Sequence, residues 1–242
     1  MKLVKLGLAV LVAMGMAHNA SAQELRLGLG LSLPPYIIQE GDTGIEVEVI
    51  RGALPADAKI KLVYLPFARV KVSLSNGSTD AITPVNEAAG IQDAVYSDSH
   101  ITYQNVAVSL KSKGIKVGSI ADLGKLRIVA FQDATLYLGK DYAAMAKGNP
   151  NYAEFPSQEN QVKMLFSERA DVIVMDIHIY KYFKSKIKDV DVSKEVTIAE
   201  IFPATEYKVA FKSKEAAAQF NAGLAKLKSS GKYAAIIKKY TK

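Results

Sequence analysis

The chain has 242 residues, of which 49% are hydrophobic and 23% are charged, and its formal net charge at pH 7 is +7. This composition excludes disordered, collagen-like and coiled-coil proteins, and the length allows one large hydrophobic core or two medium ones. The absence of cysteine excludes disulfide scaffolds, thiolate metal sites and cysteine nucleophiles, and three histidines leave little material for a zinc site or a Ser-His-Asp relay. A binding function is therefore favoured over catalysis.

The first 22 residues have the three-part pattern of a secretory signal. Two lysines within Met1–Lys5 precede the apolar run Leu6–Met16, and Ala20-Ser21-Ala22 supplies the small residues of a cleavage site. The apolar run is too short for a bilayer span, which takes about 20 residues. We therefore expect residues 1–22 to be a cleaved signal peptide and the mature chain to be located in the periplasm.

The basic charge of the chain does not predict a nucleic-acid partner. Cleavage of the signal would remove two lysines and lower the formal charge from +7 to +5. The remaining lysines are spread along the chain and are densest near its end, where they alternate with the apolar positions of a helix. Nucleic-acid binding needs basic residues gathered on one face, with aromatic or groove-reading elements. A solvated helix face explains these lysines better.

After Gln23, short apolar runs alternate with helical stretches, a pattern typical of βα units around a mainly parallel sheet. The elements predicted in the first half are strands at Leu25–Leu31, Lys59–Tyr64 and Asp80–Thr83, helices at Gly44–Leu54 and Phe67–Leu74, and an extended segment at His100–Leu110. Those predicted in the second half are strands at Leu126–Phe131 and Asp171–Met175, and helices at Ser119–Asp122, Thr135–Lys147, Gln158–Ser167, from Ser213 onward and at Tyr233–Tyr240. Ligands bind at the carboxyl ends of parallel strands in open α/β sheets. The loops after the strands that begin at Asp80 and Asp171 are therefore predicted to face a cleft.

An ordered set of short motifs resembles the bacterial extracellular solute-binding proteins of family 3, the polar-amino-acid-binding type. The motifs are Pro34-Pro35-Tyr36, Thr43-Gly44-Ile45-Glu46-Val47-Glu48 in place of the family's T-G-F-D-V-D, Pro66-Phe67, Asp80-Ala81-Ile82, Tyr96-Ser97-Asp98, Ile120-Ala121-Asp122-Leu123 and Gly231-Lys232-Tyr233. Each motif alone is common, but the ordered set behind a signal peptide is specific. The resemblance covers nearly all of residues 24–242.

The resemblance implies an α/β fold of the periplasmic-binding-protein type II, in which two lobes joined by a two-strand hinge enclose a ligand cleft. Residues 23–105 and 206–242 would form a discontinuous lobe 1, and residues 106–205 would form lobe 2. The resemblance also implies a monomer that closes on a small polar ligand and presents it to an inner-membrane ABC permease. We expect no cofactor, and no metal because the Asp and Glu residues are scattered without the spacing of a calcium site. A sensory partner that carries its ligand to a membrane receptor would use the same cleft, so both functions stay open.

Four positions, Tyr36, Phe67, Thr135 and Asp176, match residues through which family members contact their ligands, and Gln132 is a further candidate beside Thr135. Tyr36 and Phe67 stand where members place aromatic rings, although Phe67 could equally be the first core residue of its helix. Gln132 and Thr135 follow a buried strand and open a helix, where members use a threonine to hold the ligand's carboxylate and where a simple helix cap is the alternative. Asp176 matches the aspartate that pairs with the ligand's ammonium group.

The sequence departs from the family at the arginine that grips the ligand's α-carboxylate. In family members this arginine follows the Asp-Ala-Ile strand, whereas here Gly90 stands at its place, with Asn86 and Glu87 in the neighbourhood. Either Arg69 takes over the carboxylate, or no carboxylate is bound and Glu87 together with Asp176 suits an amine. The plain alternative for Arg69 is a surface residue.

An enzyme on the same scaffold is the competing function class, because cyclohexadienyl dehydratases share this fold. Glu87 or His178 could supply the acid that assists loss of water and carbon dioxide. A cleft that holds both Glu87 and Asp176 would, however, repel a prephenate-like dianion. We therefore expect no enzymatic activity.

Overall fold

The computed structural model describes residues 24–31 and 33–241, and the predicted signal peptide lies outside them. The strands, in chain order, are β1 (Leu25–Gly30), β2 (Ile60–Leu65), β3 (Ala81–Val85), β4 (Val95–Tyr96), β5 (Ile101–Tyr103), β6 (Asn105–Leu110), β7 (Ile128–Phe131), β8 (Tyr152–Phe155), β9 (Val172–Asp176), β10 (Val196–Ala199) and β11 (Thr205–Phe211). The α-helices are α1 (Ile45–Ala53), α2 (Phe67–Ser75), α3 (Ala134–Tyr137), α4 (Lys140–Gly148), α5 (Gln158–Phe166), α6 (Ile177–Lys186), α7 (Lys214–Ser229) and α8 (Lys232–Tyr240). None of the described helices is long and apolar enough to cross a membrane.

The strands form two mixed sheets, each of which is the centre of one lobe. The first sheet has the order β2-β1-β3-β11-β4, with β5 also paired to β11, and the second has the order β10-β6-β9-β7-β8. In both sheets the βα units give parallel pairs, while β11 in the first and β6 and β10 in the second run antiparallel to their neighbours. All five residues of β3 and all five of β9 are buried, as expected of central strands covered by helices.

The chain crosses between the two sheets twice. It leaves the first sheet after β5 and enters the second with β6, and it returns between β10 and β11. These crossings supply the two connections that the type II architecture requires. The lobe boundaries themselves, 23–105 with 206–242 and 106–205, stay a prediction, because strand pairing does not define which residues move as one body.

Most predicted elements are found within one or two residues of their predicted ends, but one helix prediction is wrong. The segment Thr135–Lys147 forms two helices, α3 and α4, instead of one. Gly139 separates them with a φ of 90°, a positive value that interrupts the helix and that glycine adopts without strain. The apolar spacing continues through this break, so periodicity alone joined the two helices.

The end of the chain packs back onto the beginning of lobe 1. Helices α7 and α8 both contact α1. The Tyr240 hydroxyl lies 2.5 Å from Thr43 Oγ1 and donates to Glu48 Oε1, which also accepts from the Lys239 ammonium at 2.6 Å. The motifs around Thr43 and at the C-terminus therefore meet in one polar cluster within the first lobe.

The contact between α1 and α7 is so close that only glycine fits at one position. A Cβ atom at Gly223 would lie 1.7 Å from the carbonyl oxygen of Ala53, which is backbone and cannot rotate away. We expect Gly223→Ala to lower the free energy of unfolding by about 1–3 kcal/mol or more through overpacking. Thermal unfolding followed by circular dichroism measures the loss.

Gly148→Ala is the matched control, because Gly148 also lies in a helix but a Cβ atom added there would have no heavy atom within 4 Å. Its melting temperature should stay at the wild-type value or rise slightly, since alanine favours helix over glycine. Equal melting temperatures for both variants would contradict the close α1–α7 packing.

Candidate functional site

A cavity of about 240 Å³ lies between the two sheets and is lined by residues of both lobes. Its walls come from the carboxyl ends of β1, β7 and β9, the start of α2, and the crossing into β6, which is where ligands bind in open α/β sheets. The walls are mostly apolar. The lining residues are Gly30, Leu31, Leu33, Ile37, Pro66, Phe67, Ala68, Pro84, Tyr103, Asn105, Phe131, Gln132, Tyr137, Pro156, Gln158, Asp176, Ile179 and Tyr207.

Asp176 is a buried carboxylate at this cavity, with 1% of its surface exposed. It ends the fully buried strand β9 and caps α6, so the same backbone geometry that buries it also supplies donors. Its Oδ1 accepts from the backbone N–H groups of His178 (2.8 Å) and Ile179 (3.1 Å), and its Oδ2 accepts from the N–H of Gln104 (2.9 Å). Burial raises the pKa of Asp176 to about 6, and these hydrogen bonds oppose the shift.

Tyr36 connects lobe 1 to this carboxylate. Its hydroxyl donates to Asp176 Oδ1 over 3.0 Å, and its ring stacks on Tyr103 with centroids 3.9 Å apart. The side chain is buried and does not line the cavity. Burial and the nearby Asp176 charge raise the pKa of Tyr36 far above its usual value, which keeps the phenol a donor. Tyr36 therefore holds Asp176 from behind the cavity wall.

A second buried carboxylate, Glu46, contacts the stacked pair of Tyr36 and Tyr103 through Tyr103. It accepts from the Tyr103 hydroxyl at 2.5 Å and from the Thr83 hydroxyl at 2.8 Å, and His100 Nε2 lies 3.0 Å from its Oε2. Glu46 stands in the first turn of α1, within the motif that resembles T-G-F-D-V-D. Its partners fix α1, β3 and β5 to one another. The carboxylate thus holds Tyr103, and through the stack Tyr36, in place.

Phe67 and Gln132 line the cavity from opposite lobes. Phe67 is the first residue of α2 and is half-buried, so it also packs against the core of lobe 1. Gln132 directly follows β7. Phe67 thus borders the cavity and also packs against the core, and its contact with a ligand stays a prediction.

Thr135 is engaged by another side chain of its own lobe. Its hydroxyl and its backbone N–H both donate to Glu154 Oε1 over 3.0 Å, and the N–H of Asp133 donates to Glu154 Oε2 over 2.7 Å. The Tyr152 hydroxyl adds a further bond to the same carboxylate at 2.8 Å. The predicted carboxylate donors at the start of α3 are therefore occupied by the protein's own Glu154.

Arg69, Asn86 and Glu87 lie outside the cavity. Arg69 is exposed on α2, and its guanidinium makes no hydrogen bond or ion pair with a described residue. Asn86 caps a short turn by accepting from the N–H of Ala88, and it also donates to the carbonyl of Glu206. Glu87 is 61% exposed and pairs with Lys208 Nζ at 2.5 Å, which lowers the pKa of its carboxyl group. Asn86 and Glu87 border a separate cleft.

Sequence reasoning missed several polar residues that line the cavity. The amide nitrogen of Asn105, the hydroxyl of Tyr137 and Oε1 of Gln158 are buried and have no hydrogen-bond partner among the described residues. Asn105 stands directly opposite Asp176 in the β6–β9 pair. Gln158 follows β8, which the sequence pattern did not predict as a strand. Its position near the carboxyl end of a strand could therefore not be predicted. Among the described residues, no group of three or more His, Asp or Glu side chains could hold a metal ion.

The raised pKa of Asp176 predicts a pH dependence of stability in the ligand-free protein. The native pKa of about 6 exceeds the unfolded value of about 3.8, so the native state binds this proton more tightly. The contribution is fully present below about pH 4 and is lost as pH rises through about 6, by at most about 3 kcal/mol.

Asp176→Asn removes this titration, and asparagine keeps an oxygen that can accept the bonds to Oδ1. We therefore expect the unfolding free energy of wild type minus that of the variant to fall between about pH 4 and pH 6. Urea unfolding across this range measures it. A constant difference would contradict the raised pKa.

Comparison with known proteins agrees with this geometry. Residues 25–242 match the family model of the bacterial extracellular solute-binding proteins, family 3. An arginine-binding protein from T. maritima (P235GK mutant) is 21% identical with a TM-score of 0.72, covering 90% of this chain and 94% of that one. A histidine kinase sensor domain with similarity to periplasmic binding proteins is 19% identical with a TM-score of 0.76, covering 90% and 96%.

A third structure of this fold is an ancestral amino acid-binding protein that is a precursor of cyclohexadienyl dehydratase. It is 19% identical with a TM-score of 0.70, and the match covers 90% of this chain and 96% of that one. At these identities the structures establish the type II periplasmic-binding-protein fold. The family match over 25–242 establishes more: this chain belongs to family 3 of the bacterial extracellular solute-binding proteins.

Proposed function

We propose that this chain is a periplasmic solute-binding protein that captures a small polar solute, an amino acid or a related amine, and delivers it to an ABC importer of the inner membrane. The observation that carries the proposal is the cavity between the lobes, with the buried carboxylate of Asp176 in its wall. A buried carboxylate is costly unless it is paired, and a bound ammonium group would pair it. The N-terminal signal pattern supports a periplasmic location.

The geometry supports different roles for the candidate residues. Phe67, Gln132 and Asp176 line the cavity, and we propose that they contact the solute directly. Tyr36 acts through Asp176, which it orients by a hydrogen bond, and is therefore a positioning residue.

Contacts across the cleft support hinge closure as the mode of capture. Lys71 of α2 pairs with Asp133 of lobe 2 at 3.3 Å, and the ring of Tyr137 in α3 lies 5.5 Å from that of Tyr207 in β11. The Tyr36–Asp176 bond joins the same two lobes. A ligand that strengthens such contacts shifts the population of the protein toward the closed form.

Delivery of the solute to a membrane receptor is the second candidate function. The similarity to a histidine kinase sensor domain favours it, because that domain has the same fold. A dehydratase is disfavoured, although an ancestral dehydratase precursor also has this fold. Asp176 in the cavity wall would repel a dianionic substrate, and Glu87, the sequence candidate for the acid, pairs with Lys208 outside the cavity.

A thermal-shift screen of the purified mature chain tests the binding function. The solutes are the amino acids, their decarboxylated amines, polyamines and prephenate. A ligand at a hundred times its dissociation constant adds about 2.7 kcal/mol, or roughly 5–10 °C for a chain of this size. Stabilisation by an amino acid or an amine is expected. The absence of any stabilising solute, or consumption of prephenate, would contradict the proposal.

Tyr36→Phe tests the role of the bond between the lobes. The change removes a hydrogen bond to a charged group, worth about 1.5–3 kcal/mol, so the ligand's dissociation constant should rise about 10- to 100-fold. Titration calorimetry measures it, and small-angle scattering should show a more open molecule. Tyr182→Phe is the matched control, because the Tyr182 hydroxyl makes no hydrogen bond with a described residue, and it should bind like wild type. Equal affinities for both variants would rule out the positioning role.

A further inference from the structure

The charges around the cavity allow the class of solute to be narrowed. Among the described residues that line it, Asp176 has the only carboxyl group, and none has an ammonium, guanidinium or imidazole group. A ligand carboxylate would be placed in an apolar space beside a buried carboxylate, with no lining cation to balance it. Burying an unpaired charge in this way is strongly unfavourable.

Two basic side chains of α2, Lys71 and Arg69, lie near the cavity but do not line it. Lys71 Nζ lies 3.3 Å from the Asp133 carboxylate and 5.6 Å from the centre of the Tyr137 ring, outside the lining residues. Arg69 is exposed on the same helix and also lies outside the lining. The structure therefore brings neither of these cations to the cavity wall.

The donors at the start of α3 are also engaged, and the unpartnered donors that remain in the wall, the Asn105 amide and the Tyr137 hydroxyl, carry no charge. The hydroxyl and N–H of Thr135 and the N–H of Asp133 all donate to the carboxylate of Glu154. A ligand carboxylate would have to displace Glu154, which also accepts from the Tyr152 hydroxyl. Displacement would leave Glu154 in a half-buried position with its bonds broken, so the protein's own carboxylate competes with any ligand carboxylate for these groups.

The same cavity has features that favour a cation. The Oδ2 atom of Asp176 accepts one hydrogen bond from the described residues, that of the Gln104 N–H, whereas a carboxylate oxygen has about two acceptor sites. Oδ2 therefore has an acceptor site left for a ligand. Aromatic side chains also line the cavity, and the faces of aromatic rings attract cations. They are Phe67, Tyr103, Phe131, Tyr137 and Tyr207.

We propose that the solute is a compact amine cation with a largely apolar body and no carboxylate. This proposal rests on the solute-binding function and narrows its ligand class. The cavity of about 240 Å³ is below the range of about 300–1,000 Å³ that is typical of small-molecule sites, so the body of the amine is small. The apolar walls bury it, and Asp176 pairs with its ammonium group.

Titration calorimetry with matched solutes tests the ligand class. Each set contains an amine, the amino acid with the same side chain and the alcohol that replaces the amine: phenethylamine, phenylalanine and phenethyl alcohol, or isoamylamine, leucine and isoamyl alcohol. We expect at least one amine to bind ten times or more tighter than both of its counterparts. An amino acid that binds as tightly as its amine overturns the exclusion of carboxylates, and an alcohol that does so overturns the need for a cation.

The same titrations separate this proposal from the function on which it rests. If amino acids bind and amines do not, solute binding stands and the carboxylate-free class fails. If no solute of any class binds or shifts the melting temperature, both fail together.

Variants of Asp176 test the pairing itself. Asp176→Asn and Asp176→Ser both keep an oxygen that can cap α6, so at least one of them should fold, which circular dichroism checks. Amine affinity should fall tenfold or more in the folded variant, while alcohol affinity should change less than about threefold. Asp189→Asn makes the same chemical change at an exposed residue paired with Lys163, and it should bind like wild type. Unchanged amine affinity in a folded Asp176 variant overturns the proposal.

Discussion

The burial of the Asp176 carboxylate is the constraint on which the rest of the site depends. A carboxylate removed from water needs donors, and the fold supplies them from both lobes: two N–H groups at the start of α6, one N–H at the crossing into β6, and the hydroxyl of Tyr36. Burial nevertheless raises its pKa to about 6, so these bonds do not fully replace solvation by water. The ionised carboxylate of Asp176 is thus incompletely stabilised at the cavity, and a cationic ligand would stabilise it.

The donor from Tyr36 is fixed by a second buried carboxylate. Glu46 binds Tyr103, and Tyr103 stacks against the Tyr36 ring at 3.9 Å. Tyr103 also ends β5, directly before the chain crosses into the second sheet. A continuous set of contacts therefore runs from the start of α1, through the crossing, to Asp176. These contacts can couple the position of lobe 1 to the charge state of Asp176 in lobe 2, because Tyr36 of lobe 1 binds that carboxylate.

The anionic and cationic groups around the cleft are largely satisfied by the protein itself. Glu154 occupies the donors around Thr135, Lys71 pairs with Asp133, and Lys208 pairs with Glu87. Each of these residues was a candidate, or a neighbour of one, for contact with a ligand. What is left for a ligand among the described residues is an apolar volume, the remaining acceptor site on Asp176, and the unpaired polar atoms of Asn105, Tyr137 and Gln158. The described lining offers one carboxylate and no cationic group, whereas a site that binds a zwitterion would need partners for both of its charges.

The sequence by itself determined the order and type of most elements, and with them the α/β class and the family. Hydrophobic periodicity and turn residues are local properties, so strands such as β7 and β9 and helices such as α1 and α5 were readable within a residue or two. The position of Asp176 at the end of a buried strand was readable for the same reason. The break at Gly139 was not, since the apolar spacing runs on through it.

Only the tertiary structure decided which side chains meet. Tyr36 and Asp176 are 140 residues apart, and Glu87 and Lys208 are 121 apart, so their pairing depends on the order of strands in the sheets and on the two crossings between lobes. The engagement of Thr135 by Glu154 depends on the parallel pairing of β7 with β8, a strand whose short apolar pattern gave no signal. Contacts of this kind follow from how elements pack in space, and a periodic pattern along the chain carries no information about its distant neighbours.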